Sequence, residues 1–481
     1  MKRLVVFLLL ILLPVVAALS FSQSRSFIFD SLGRFEKDKP EITLEGVPAS
    51  VGRSGFKLAA KASDAGAGIT HIAIEMRDGD KVTPLGEWKS DGSAKLGNAM
   101  AEAEITEAML EELSSDVVEL RVTASDRAFI SNGEEKLAQV KVDLKKPYLS
   151  VIPDQQNVTQ GGAGMVLFEA GDDSQFTSFV RIGEMKFPAH PLRAGDTRQF
   201  AALFAVPRLF DSAVDAAEVV VRDVAGNETA RRFPLRVKKV NWPEDSITLS
   251  KNFVEDKIIS YLAPEYYESL ENTSAVKSDE RKAMRARLRS EDEASYISSF
   301  RDVNEKYRRA LGVKLVEISA SSDPEFLWDS SFAKPMKGAI TGRFGEERDY
   351  HYQSQIAGYS LHEGLDIASL QGAAVYSTNK GKVLYAGSLG IYGNAVVVDH
   401  GRGLSTLYGH LSRIDCNVGD VVDTTTQIAA SGATGLAGGD HLHFEMRIAG
   451  VPVTPYEWLD YQWIEDHVLA KLKPVEGQIN G

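Results

Sequence analysis

Three short segments in the last third of the chain carry residue types that bind and use metal ions. They are His362-Glu363-Gly364-Leu365-Asp366, Leu407-Tyr408-Gly409-His410-Leu411-Ser412 and Gly439-Asp440-His441-Leu442-His443-Phe444-Glu445. The third reads as a strand. Residues two apart share a strand face, so both of its imidazoles lie on one side and Leu442 and Phe444 on the other. His362 and Asp366 add a nitrogen and an oxygen donor from a second segment. A catalytic zinc ion takes three protein ligands and keeps a fourth position open. One carboxylate among those ligands leaves the ion a strong Lewis acid. A donor set of nitrogen and oxygen without thiolate points to zinc among the first-row metals. A structural site has no use for further imidazoles, yet more are present. Beside a metal-activated water they can position it, take its proton or stabilise an oxyanion, since imidazole titrates near neutrality.

Taken together and in order, these segments resemble the lysostaphin/LytM-type zinc metallopeptidases, a family of murein and glycyl-glycine endopeptidases. The family pattern is H-x-x-x-D, then Tyr-x-His-Leu-Ser, then H-x-H. The resemblance extends over about residues 334–458. It includes Gly338-Ala339-Ile340-Thr341-Gly342-Arg343-Phe344-Gly345, the Gly419-Asp420-x-Val422 turn and Gly432-Ala433-Thr434-Gly435. It implies one Zn²⁺ per chain held by His362, Asp366 and His443, with His410 and His441 as catalytic residues that do not bind the metal. It also implies a mostly antiparallel β-sheet with a cleft across it, and peptidoglycan stem peptides or cross-bridges as substrate. Asp440 departs from the pattern, where proline is common, and is expected to serve a turn. Gly409 stands where alanine is common. Some proteins of this fold lack ligands and only activate other wall hydrolases, so a non-hydrolytic wall-binding activator is the alternative reading. Glu363 is a candidate supporting residue. His71, His190, His351, His400 and His467 read as ordinary structural or surface histidines.

The rest of the chain must position this site. Its 481 residues carry a formal net charge of −13, which argues against a nucleic-acid partner. The single cysteine, Cys416, excludes a disulfide framework and any cysteine-rich metal site. Seven of the nine histidines lie at or beyond His351, and 19 of the 40 glycines lie between Gly338 and Gly450. At the other end, Lys2 and Arg3 precede an apolar run over residues 4–19, the pattern of a secretory signal or membrane anchor. We therefore expect export to the periplasm or cell envelope. If the segment over residues 4–22 is uncleaved, it anchors the chain in the cytoplasmic membrane.

The expected fold class is multidomain and mainly β. Residues 1–24 form the signal or anchor and 25–38 a linker. Period-two segments separated by Gly, Asp and Ser predict two immunoglobulin-like β-sandwiches, over 39–145 and 146–240. From Trp242 the period changes, predicting an α-helical connector over 241–330. Ser250 caps a helix running to about Leu262, Ser290 and Glu293 form a capping box, and Gly312 ends the last helix. A connector that covers the cleft would make a chain starting near Ser331 more active than the exported whole. The metallopeptidase domain spans 331–460. Strands are expected at Gly381–Leu389, Asn394–His400, Leu404–His410 and His441–Ile448, with a hairpin at Gly401-Arg402-Gly403. Residues 461–481 form a C-terminal helix and tail.

Overall fold

The computed structural model describes residues 38–92, 96–128, 132–193, 195–210, 216–270 and 277–472. The apolar N-terminal segment, read above as signal or anchor, lies outside the described residues. Among the described residues no helix is long and apolar enough to cross a membrane. The fold is mainly β, and the chain divides into two compact units.

The first unit falls within Met1–Pro147, with Asp172–Phe176 and Arg222–Glu228. A three-stranded sheet (Glu41–Glu45, Phe56–Ser63, Asn98–Ile105) and a five-stranded sheet centred on Val117–Asp126 and Ile69–Asp78 share one core. The alternation legible in the sequence is the alternation of burial. Along Val117–Asp126 every second residue is buried, among them Val118, Leu120 and Val122.

The second unit carries the functional segments. In its N-terminal part, Tyr148–Val151 and Gln199–Ala205 pair on either side of Ala163–Gly171. The Glu457 carboxylate accepts hydrogen bonds from Ala163 N and Thr159 Oγ1, and Lys471 Nζ donates to Met165 O. These contacts tie the C-terminal helices to this sheet.

The connector departs from expectation in four respects. It opens as a strand, Glu244–Leu249, which pairs in parallel with Glu347–Tyr352 and so joins a sheet of the C-terminal domain. Ser250 then caps as expected, its Oγ accepting from Phe253 N at 3.1 Å, but the helical run continues past Leu262 to Ser269. The N-cap of Glu293–Arg301 is Asp292 rather than Ser290, its carboxylate accepting from Ser295 N at 2.8 Å. Ser290 instead bonds Asp292. Finally, the last helix does not stop at Gly312 but runs from Arg308 to Ser319. Leu311 and Leu315 on either side are buried against the C-terminal domain, and that packing outweighs glycine's roughly 1 kcal/mol helix penalty.

The connector is not a separate body. Val254, Ile258, Leu262, Phe300, Val303 and Leu311 share one hydrophobic core with Tyr350, Leu389, Ile391, Tyr392, Val397 and Leu407 of the C-terminal domain. Two turns of this wall, Val254–Leu262 and Asp302–Tyr307, are π-helical. The C-terminal domain is built on an antiparallel sheet in the order Ala339–Gly342, Leu365–Ala368, Leu442–Ile448, Leu404–Leu411, Asn394–Gly401, Gly381–Ser388, Val421–Val422. Its expected strands are all present. The hairpin turns on Arg402 (φ 54°) and Gly403 (φ 79°), the two positive φ values a two-residue type I′ connection requires.

Candidate metal centre

Strand register brings the cluster together. Asp366 and His443 lie directly opposite each other on neighbouring strands, and His362 stands just beyond the end of Gln355–Leu361. Asp366 Oδ1 lies 2.9 Å from His362 Nε2 and 2.9 Å from His443 Nδ1, and the two imidazole nitrogens are 3.1 Å apart. All three residues are buried. Each ring is held by its other nitrogen. His362 Nδ1 donates to Arg343 O at 2.9 Å, and His443 Nε2 donates to the fully buried Glu445 carboxylate at 2.8 Å. These outer bonds fix the ring orientation, so Nε2 of one ring, Nδ1 of the other and a carboxylate oxygen point at one spot. The donor set and its spacing fit a single Zn²⁺, whose bonds to such atoms are about 2.0–2.2 Å.

The electrostatics point the same way. Burial opposes the charge on Asp366, but hydrogen bonds from His362, His441 and His443 outweigh it and hold the carboxyl well below its usual range. Burial also opposes a charged His443. The carboxylates of Asp366 and Glu445 on either side prevail and raise it to about 9. Glu445 is buried too, yet Arg447 and His443 keep it ionised, down to about 2. Without a cation, a proton therefore sits between His443 and Asp366. A metal ion held by these atoms would compete with that proton.

His410 and His441 stand beside this cluster, with ring centroids 4.8 Å apart. They are secured alike: His410 Nδ1 donates to Thr434 O and His441 Nδ1 to Gly439 O, each at 2.9 Å. His410 Nε2 is thereby left as a free acceptor, whereas His441 Nε2 faces Asp366 Oδ1 at 3.5 Å. Burial first, then neighbouring His443 and His441, pushes the His410 pKa well below that of free imidazole, so it is a neutral base. His410 sits at φ 62° on a bulge, where three steps along its strand match two on Asn394–Gly401. The bulge turns the ring off the regular alternation and into the cleft.

The structure brings all five sequence-predicted site residues together: His362, Asp366, His410, His441 and His443 all line one cleft of about 500 Å³. The remaining histidines lie elsewhere. His351 pairs with Asp349, and His400 is fully buried between Lys380 O and Thr406. Asp440 serves the turn, accepting from Gly372 N and Ser431 Oγ. Sequence reasoning missed Glu445, Arg447 and Arg348. The first two continue the face of His441 and His443 at the same two-residue spacing, a signal that was available. Arg447 holds Glu445 and also Glu363, which gives Glu363 its supporting contact. Arg348 had no local signal. It reaches Asp366 Oδ2 at 2.9 Å through space that Gly342 leaves open, since a Cβ there would lie 2.5 Å from that oxygen. The connector, weighed from the sequence as a cover for the cleft, supplies its far wall. That wall is formed by Ile247, Phe253, Phe300 and Arg308.

Residues 360–455 match peptidase family M23. Over 116 residues the chain is 42% identical to the DD-carboxypeptidase/endopeptidase Mpg of Neisseria meningitidis serogroup B, covering 24% of this chain and 26% of that protein. It is 37% identical over 114 residues to the peptidoglycan DD-endopeptidase ShyB of Vibrio cholerae serotype O1, again 24% of this chain and 26% of that protein. It is 34% identical over 125 residues to the murein hydrolase activator EnvC of Escherichia coli, 26% of this chain and 28% of that protein. The chain thus spans about a quarter of the length of these curated relatives.

Proposed function

We propose that this chain, whose C-terminal region is a peptidase family M23 domain, is an exported zinc-dependent endopeptidase that hydrolyses peptide bonds of peptidoglycan. The observation that carries this reading is the convergence of His362 Nε2, Asp366 Oδ1 and His443 Nδ1 beside two further imidazoles, His410 and His441, each held through Nδ1 by a backbone carbonyl. His362, Asp366 and His443 hold the ion. A bound Zn²⁺ supplies Lewis-acid polarisation of a carbonyl and a lowered pKa for water. His410, neutral and held by Thr434 O, accepts a proton at Nε2 and returns it to the leaving amine. His441, held at Nδ1 by Gly439 O with its Nε2 turned toward Asp366, steadies the developing oxyanion. Glu445 keeps His443 Nε2–H engaged and so presents Nδ1 to the ion. We take the scissile bond to be one between D-amino acids, because two relatives carry DD-endopeptidase names.

A second reading has its own support: the likeness to EnvC suggests an activator of other wall hydrolases that cuts nothing itself. The intact His410 and His441 speak for hydrolysis. Incubating the zinc-loaded protein with isolated peptidoglycan, followed by mass spectrometry of the muropeptides, separates the two. Hydrolysis yields new peptide ends, whereas an unchanged muropeptide profile would leave the activator reading in possession.

A further inference from the structure

We propose that the connector wall carries a carboxylate-binding subsite, built on Arg308, through which the cleft selects peptides bearing a free carboxylate near the bond it cuts. This rests on the hydrolase reading and names its substrate class more closely.

Two arginines line the cleft, and they differ in what answers their charge. Arg348 is neutralised twice, by Glu346 and by Asp366, each at 2.9 Å. Arg308 has no carboxylate partner among the described residues. Its Nε donates to Asn304 O and its Nη2 to Asn304 Oδ1, both at 3.0 Å and both to neutral acceptors. Asn304 is itself fully buried, and its Nδ2 donates to Tyr359 O at 2.9 Å. The guanidinium is therefore held in one place while keeping its full charge. Holding an arginine in advance removes much of the entropy lost when a long side chain captures an anion. The π-helical turn Asp302–Tyr307 ends at Arg308, and such turns shift side chains out of regular helical register.

The surroundings favour a carboxylate. Ile247, Phe253, Phe300 and Leu436 make this part of the cleft apolar, which strengthens an ion pair formed within it. The chain as a whole carries −13, so its long-range field does not gather acidic peptides and a local cation has to do so. Asp245, an exposed residue of the same cleft, stands on the strand beside Arg348 rather than on the helix of Arg308.

The test uses the full chain and two forms of one muropeptide, with its carboxylates free or converted to amides. In the wild-type protein we expect the free acid to have a KM about tenfold or more below that of the amide. Arg308→Gln should raise KM for the acid form by about that factor, leave kcat within about twofold, and leave the amide form unchanged. Arg308→Lys, which keeps the charge but not the fork, should recover part of the preference. Loss of equal size on both forms, or no loss on either, overturns the proposal. If the wild-type protein cuts neither form, the hydrolase reading fails by itself. Binding of the two forms to His410→Ala protein then decides the subsite, and equal affinity overturns it.

Discussion

The sheet side of the cleft and its helical side are built from different kinds of residue. On the sheet, polar groups are tied in series: Arg447 holds Glu445, Glu445 holds His443, and His443 meets Asp366 and His362. On the connector, the contacts are mostly apolar. Phe300 packs on Tyr350 with ring centroids 5.0 Å apart, and Ile258 and Leu262 fill the core beneath. One side orients lone pairs and the other supplies shape. The difference teaches that the core beneath the His–Asp cluster is not confined to the matched domain, because helices outside residues 360–455 close it.

The harshest way to break this comparison is to remove the connector wall. A chain starting near Ser331 should lose cooperative unfolding, metal retention and activity together, checked by circular dichroism and zinc stoichiometry. Phe300, Ile258 and Leu311 vanish with it, and each such side chain is worth about 2–5 kcal/mol to a core. This reverses the expectation that trimming the connector would raise activity. The connector does reach the cleft, but as structure shared with it. A folded and more active fragment would restore the picture of a detachable cover.

Substitutions on the sheet side should separate binding from chemistry. His443→Ala is expected to abolish cleavage and empty the metal site. His410→Ala should lower kcat by about 10²–10⁴-fold while zinc stays near one per chain. Loss of zinc in His410→Ala would mean that the two roles have been drawn wrongly.

The smallest effect sharpens the account of the supporting contacts. Glu445→Gln should weaken zinc binding by about 10–100-fold with the fold retained. It should also reduce the proton release that accompanies binding at pH 8, because Glu445 helps raise the His443 pKa to about 9. Calorimetry in buffers of different ionisation enthalpy measures both. Unchanged affinity would reduce Glu445 to a packing role.

Much of the site was legible because its signals are local. His441 and His443 share a face by strand period alone, and Glu445 and Arg447 extend that face. The alternating strands of the first sandwich and the Gly401–Gly403 hairpin were equally plain. The helix ends were less so. Gly312 is a stop signal in isolation, yet the helix passes through it because Leu311 and Leu315 gain more from burial than glycine costs. Glu244–Leu249 was passed over as a strand because its partner, Glu347–Tyr352, lies about a hundred residues further on.

By itself the sequence determined which atoms this protein can offer a metal: imidazole and carboxylate without thiolate, on segments whose periods put them on common faces. Tertiary structure decided what those atoms face. The bulge that turns His410, the reach of Arg348 to Asp366 and the isolated charge of Arg308 all depend on pairings between distant segments. Residue type and spacing encode the direction of a side chain within its own element. Its neighbours are set only when the elements close around a common core.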